Sequence, residues 1–234
     1  MRYFYLFLCA LILPTLTSAQ FTFDPTIEVD YTTTEVLVPS APLKTQVLFI
    51  GGTDMVQTTR TYGNPATEVP AKEWHDFIGF TPDNESDDLG WVTVNHEMIQ
   101  ANDNIGDGGG MTVFKISRDP ETDTIIIVEQ TLNDGRQGKF FNVDFANTVG
   151  ETGMNCGGIV GPDGRIWTAE EWFRTSNTSI IDNRGSVGVR DTFDYTITSD
   201  IKAANGQTVK AYENFNYPVE IDPRQAVAIR KQYN

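Results

Sequence analysis

Apolar residues in this chain fall in short runs separated by turn-forming residues, and the spacing that amphipathic helices require is scarce. Residues 46–51 (QVLFIG) read as an apolar strand, and residues 90–94 (GWVTV) as a strand after the turn-rich segment 82–89. Residues 111–116 (MTVFKI) alternate, and they follow three consecutive glycines. Residues 124–131 (TIIIVEQT) are rich in β-branched side chains and pair naturally with the strand before them, since 117–123 contains Asp-Pro and suits a hairpin loop. The sequence from Ile159 to Thr168 reads as strand, Asp-Gly turn, strand. Two further pairs are expected: 193–198 with 207–212 around Asn205-Gly206, and 219–222 with 226–230 around Pro223. Many short strands with regular turns predict an all-β fold, either a sandwich or a β-propeller. Residues 90–97 (GWVTVNHE) and 164–171 (GRIWTAEE) form a weak internal echo. Each runs from glycine through a strand to a glutamate seven residues on, and the spacing loosely favours a propeller with blades of about 40–50 residues.

Charge narrows the function classes. The 234 residues carry 17 Lys and Arg against 32 Asp and Glu, a net charge of −15. Nucleic-acid binding needs a basic face to neutralise phosphates, and none is visible, so no nucleic-acid partner is expected. An acidic, glycine-rich chain fits divalent-cation binding or simple solubility. Residues 1–19 read as a secretory signal peptide: Arg2 precedes an apolar run over 3–14, and Thr17-Ser18-Ala19 supplies small residues for cleavage. That run is short of the ~20 residues needed to span a bilayer. No membrane span is expected after signal removal, and the address is secreted or periplasmic. Residues 20–45 read as an extended N-terminal arm, and 46–234 as one partial propeller domain. Cleavage takes Cys9 away and leaves Cys156 as a single thiol, so no internal disulfide forms.

Four clusters carry candidate chemistry. Asn95-His96-Glu97 ends a predicted strand, where Asn95 and Glu97 share one face and His96 takes the other. The trio suits a metal site, and equally a solvated strand end with His96 packed inside. Asn155-Cys156-Gly157-Gly158 sets a thiol and an amide before two glycines that allow close backbone approach. A thiolate among carboxylates selects a transition metal over calcium alone, and a small buried thiol in a tight turn is the bland reading. Glu170 and Glu171 are adjacent carboxylates that repel unless solvated or bridged by a cation. Residues 102–108 (NDNIGDG) resemble a calcium loop without fitting the EF-hand pattern, and a surface loop explains them as well. The acidic segment 83–88 reads as a solvated loop. No P-loop, HExxH or GxSxG motif is present.

Taken in order, residues 90–97 (GWVTVNHE), 108–114 (GGGMTVF), 154–158 (MNCGG), 164–171 (GRIWTAEE) and 217–223 (YPVEIDP) resemble the PhoX-type alkaline phosphatases. The resemblance spans about residues 45–223. It implies a six-bladed β-propeller, export, and hydrolysis of small phosphate monoesters with iron and calcium, in a chain expected to be monomeric. Carried over, Cys156 is the implied iron ligand, and Glu97, Glu170 and Glu171 are implied metal carboxylates. Asn95, His96 and Asn155 are weaker candidates for metal or substrate contact, and no catalytic residue is assigned. Two departures stand out. Arg2 lacks the twin-arginine partner usual in the family, which points to the general secretory route. Family chains are also longer, so the ~210 residues left after cleavage supply four to five blades at most, as expected of an N-terminal fragment. The rival readings are a non-catalytic calcium-binding propeller module and a calcium-dependent hydrolase of another ester.

Overall fold

The computed structural model describes residues 44–59, 65–98, 102, 104–106, 108–150, 152–171, 201–202, 208–209 and 215–232. The chain divides into two compact units, Met1–Thr45 and Gln46–Asn234. The signal-peptide and N-terminal-arm expectations fall on residues outside those described, except for Lys44 and Thr45. Everything below concerns the second unit.

The first sheet contains β1 (Met55–Gln57), β2 (Glu68–Pro70), β3 (His75–Pro82), β4 (Gly90–His96), β5 (Gly110–Arg118), β6 (Ile125–Val128) and β9 (Phe140–Asn142), in the order β2-β1-β9-β5-β4-β3. β5 shares one edge between two partners, pairing Thr112, Val113 and Phe114 with β9 and Lys115, Ile116, Ser117 and Arg118 with β6. The second sheet contains β10 (Asn155–Val160), β11 (Ile166–Glu170), β14 (Pro218–Asp222) and β15 (Val227–Lys231), all antiparallel in that order. Two small hairpins complete the set: β7 (Gln130–Thr131) with β8 (Gln137–Gly138), and β12 (Ile201–Lys202) with β13 (Thr208–Val209).

The alternation predicted for residues 90–116 decides which way the first sheet faces. Trp91 on β4 and Met111 and Val113 on β5 point into one core, where they meet Phe141 of β9 and Ile166, Val219, Ile221 and Ala228 of the second sheet. Val94, Phe114 and Ile116 point the other way and pack with Phe49, Ile125, Ile127 and Phe140. The two large sheets therefore share one hydrophobic core, the main stabilising term in a chain of this kind. Polar clamps reinforce the junction. Asp144 forms an isolated parallel bridge with Val227, and Thr81 donates to the Gly164 carbonyl at 2.8 Å. Arg136, its side chain 4% exposed, donates to the carbonyls of Asn142 (2.5 Å) and Gln57 (3.3 Å) on one side and of Gln225 (3.3 Å) and Ala226 (3.1 Å) on the other.

The fold is all-β, as the punctuation of the sequence implies. Among the described residues neither large sheet closes into a ring or divides into propeller blades, so the propeller expectation is met only at the level of fold class. Two local expectations need correction. Residues 46–50 form no ladder. The Gln46 side-chain amide exchanges two hydrogen bonds with the backbone of Ile125, and Asp54 captures the Ile50 N–H at 2.6 Å, so side chains take up backbone groups that a ladder would use. The hairpin around Asn205-Gly206 has its first arm at Ile201–Lys202, while the predicted arm 193–198 lies outside the described residues. The acidic segment 83–88 is the expected loop, exposed over 84–87 and tied at its ends: Lys115 bridges Asp83 at 2.8 Å and Asp88 at 2.7 Å, and its ammonium holds the Asp83 carboxyl far below the usual range. Among the described residues no helix is long and apolar enough to cross a membrane.

Candidate metal centre

Four strand ends meet where β3 and β4 of the first sheet abut β10 and β11 of the second. His75 of β3 pairs with His96 of β4, but the register slips between His75 and Ile78. Asp76 lies inside that irregularity. Asn155 of β10 pairs with Glu170 of β11, and the register slips again between Asn155 and Gly158, which places Cys156 in a second one. Bulges re-aim side chains out of the regular pleat, and here they turn an aspartate and a cysteine toward each other. Cys156 Sγ donates to Asp76 Oδ2 at 2.6 Å. Glu97 follows β4 directly, with its N–H bonded to the Trp74 carbonyl at 3.0 Å. The ligating atoms of Asp76, Glu97 and Cys156 all lie within 4.8 Å of one another. Glu171 follows β11 directly, stands outside that trio and lies beside the Cys156 thiol. The hydrogen bond to Asp76 and then that to Glu97, with burial and Glu171 behind them, push the Cys156 thiol well above its ordinary value.

Glycines make the approach possible. Gly109 sits at φ 118°, and a Cβ there would lie 2.8 Å from the His96 carbonyl oxygen and 3.0 Å from Met154 N. A Cβ on Gly158 would lie 2.5 Å from the Phe77 ring. The triple-glycine strand start thus brings three backbones together, and the glycine after the cysteine turn leaves room for the Phe77 ring.

The predicted residues divide into two groups. Glu97, Cys156 and Glu171 converge. Glu170 does not, which corrects its expected place among the ligands: it points to the opposite face of β11, where Lys231 Nζ reaches its Oε1 at 2.7 Å with both side chains 0% exposed. Thr152 Oγ1 donates to the same oxygen at 2.8 Å. Asn155 is also a structural residue: its Oδ1 accepts from Gly110 N at 2.9 Å, and its amide nitrogen faces the Thr152 and Thr168 hydroxyls. Asn95 is fully buried beneath the cysteine turn, donating to the carbonyls of Cys156 (2.6 Å) and Gly157 (3.2 Å) and to Thr168 Oγ1 (2.9 Å). Its Oδ1 is buried with no hydrogen-bond partner among the described residues. The sequence reading missed Asp76, on the one long strand that it did not anticipate. In the expected calcium loop, Asn102 Oδ1 is occupied by the N–H groups of Asn104 and Ile105, while Asp103 and Asp107 lie outside the described residues.

His96 is excluded from the cluster by strand parity. It is buried on the other face of β4, with its Nε2 2.8 Å from Thr112 Oγ1 and its ring edge-on to His75. Burial, then the neighbouring His75 and Lys72, lower its pKa to about 3 against the Glu73 backbone contact. The unfolded imidazole protonates near 6.5. Between those values the unfolded state binds more protons, so this residue's contribution to stability is complete above about pH 6.5. It declines as pH falls toward 3, by up to about 1.4 kcal/mol per unit. Urea midpoints from pH 7 to 4 should drop more steeply for the native chain than for His96→Gln. Coincident slopes would place the acid sensitivity elsewhere.

The donor set suits a cation. Ligands about 2.0–2.4 Å from a common ion lie at most about 4.8 Å apart, and the ligating atoms of Asp76, Glu97 and Cys156 lie within that limit of one another. Three carboxylates around one sulfur repel each other, and the thiol stays protonated in response; a bound ion reverses that preference. No family model, curated protein or solved structure matches the chain.

Proposed function

We propose that this protein is an exported, metal-dependent phosphatase of the PhoX type, hydrolysing small phosphate monoesters with iron and calcium held at the Asp76–Glu97–Cys156–Glu171 cluster. A six-bladed propeller belongs to this reading as the architecture that the resemblance implies. The observation that carries it is the convergence of one sulfur with the Asp76 and Glu97 carboxylates, with Glu171 beside the sulfur, since Glu97, Cys156 and Glu171 belong to motifs that resemble that family's. When bound, iron and calcium supply the clustered positive charge that holds phosphoryl oxygens and stabilises charge in the transition state. The chain's own residues define the rest. Asp76 and Glu171 are exposed, so the centre faces solvent and is open to a small ester. Cys156 and Glu97 are half-buried and supply the inner wall. The thiol proton lies against Asp76 Oδ2, and a metal bound by the sulfur would release that proton to solvent.

Elemental analysis of the purified full chain, with a p-nitrophenyl phosphate assay before and after chelation, tests the reading. Iron and calcium are expected, with hydrolysis lost on chelation and restored by both ions. Calcium without iron, and no hydrolysis, would make the protein a binding module. Cleavage of a lactone but not of the phosphomonoester would make it a different esterase. Either result overturns the proposal.

A further inference from the structure

We infer that Glu170 is a positioning residue for the metal centre, acting on the cysteine turn through Thr152 and Asn155 with Lys231 as its fixed counter-ion. The inference rests on the metal-binding part of the proposed function. A continuous buried chain of polar contacts carries it. Lys231 Nζ and Thr152 Oγ1 both donate to Glu170 Oε1, at 2.7 and 2.8 Å, and Tyr217 N approaches Oε2 at 3.3 Å. A threonine hydroxyl has one proton; the Thr152 hydroxyl lies 2.8 Å from Glu170 Oε1 and 3.1 Å from Asn155 Oδ1, which already accepts from Gly110 N, so the proton goes to the carboxylate and the oxygen accepts from Asn155 Nδ2 at 2.9 Å. The other side of that amide faces Thr168 Oγ1 at 3.3 Å, where Asn95 Nδ2 also donates at 2.9 Å. Asn95 then holds the carbonyls of Cys156 and Gly157. Thr152, Asn155, Thr168, Asn95 and Glu170 are all at most 5% exposed. Thr152 donates to Glu170, Asn155 donates to Thr152, and Asn155 and Asn95 both donate to Thr168, so the orientation of the Cys156 turn depends on an acceptor oxygen of Glu170 held in place by a lysine 61 residues on in the chain. Burying a charged pair by itself adds little stability. Here it fixes the Thr152 hydroxyl, and through it the two amides that shape the turn. Groups that orient ligands in this way are worth about 10–100-fold in metal affinity.

The test is a cobalt(II) titration of the full chain, read by the thiolate-to-cobalt charge-transfer band, on three variants. Thr152→Val removes the hydroxyl without touching any candidate ligand, and its cobalt affinity should fall about 10–100-fold. Thr152→Ser restores the hydroxyl and should bind within a few fold of the native chain. Glu170→Gln keeps an acceptor for Thr152 and should also retain binding. Urea unfolding, run alongside, separates loss of fold from loss of site. Native affinity in Thr152→Val, or equal impairment in Thr152→Ser, overturns the inference. Complete loss of the band in a folded Glu170→Gln chain would instead make Glu170 a ligand. If the native chain shows no band, the metal reading fails by itself, and alkylation of Cys156 by iodoacetamide, followed on its peptide by mass spectrometry, decides the positioning role. Several-fold faster alkylation in Thr152→Val than in the native or Thr152→Ser chain supports it, and equal rates overturn it.

Discussion

Replacing Cys156 with alanine is expected to lower the affinity for cobalt or iron by about 100-fold or more, beyond the range for an outer-shell change, while calcium affinity stays within a few fold. The asymmetry follows from donor chemistry. Sulfur is the soft ligand of the cluster, whereas Asp76, Glu97 and Glu171 present hard oxygens that calcium prefers. In the metal-free chain the thiol already carries its proton, so alanine removes no charge and leaves the carboxylates as they were. Competitive titration with calcium and cobalt reads the ratio directly. Phosphomonoester hydrolysis should vanish with the transition metal even when calcium is saturating. Activity that persists in Cys156→Ala with a full metal complement would falsify the assignment of Cys156. Equal loss of both cations would indicate a collapsed turn and not a lost ligand.

The largest effect on stability is expected from Arg136→Met, at about 2–4 kcal/mol. The methionine fills much of the volume but strips the buried Asn142 carbonyl of its Arg136 donor, at about 1–3 kcal/mol, and costs the Ala226 carbonyl one of two donors, the Asp144 N–H at 3.0 Å remaining, at about 1 kcal/mol more. Against the roughly 5–15 kcal/mol that holds a domain together, that loss removes a large share of the stability. Arg136→Lys should recover only part of the loss, because one ammonium cannot reach carbonyls on both sides of the junction. Asp134→Asn serves as the control. Asp134 is 40% exposed, and its ion pair with Arg136 should contribute no more than about 1 kcal/mol. Equilibrium urea denaturation measures all three. A loss below about 1 kcal/mol in Arg136→Met would show that these carbonyls find other partners.

Much of the site was legible because it follows from parity along regular strands. Alternation along residues 90–97 separates Asn95 and Glu97 from His96, and the same rule sends Glu170 and Glu171 to opposite faces of β11. The echo between 90–97 and 164–171 has a structural counterpart: β4 and β11 each begin near a glycine of positive φ and are followed directly by a glutamate beside Cys156, Glu97 and Glu171. What escaped depends on breaks in that regularity. β3 (HDFIGFTP) lacks clean alternation, because Asp76 and Phe77 fall where the pairing slips, so neither the strand nor its aspartate stood out. The partnership of Glu170 with Lys231 depends on how β11, β14 and β15 stack in sheet order. Periodicity says which face a residue takes, and nothing about which distant residue waits there. Residues 46–50 are apolar enough for a strand, yet a glutamine amide and an aspartate had already satisfied backbone groups that pairing needs.

The two slips in register also limit how these strands can vary. Side chains along a strand alternate, so deleting one residue from either slip would restore unbroken pairing and send the reactive group to the far surface of its sheet. Such a protein would keep its core and its sheet order and be blind to cations. Exchange of one amino acid for another can tune this centre by degrees, whereas a change in chain length at Asp76 or Cys156 switches it off at a stroke.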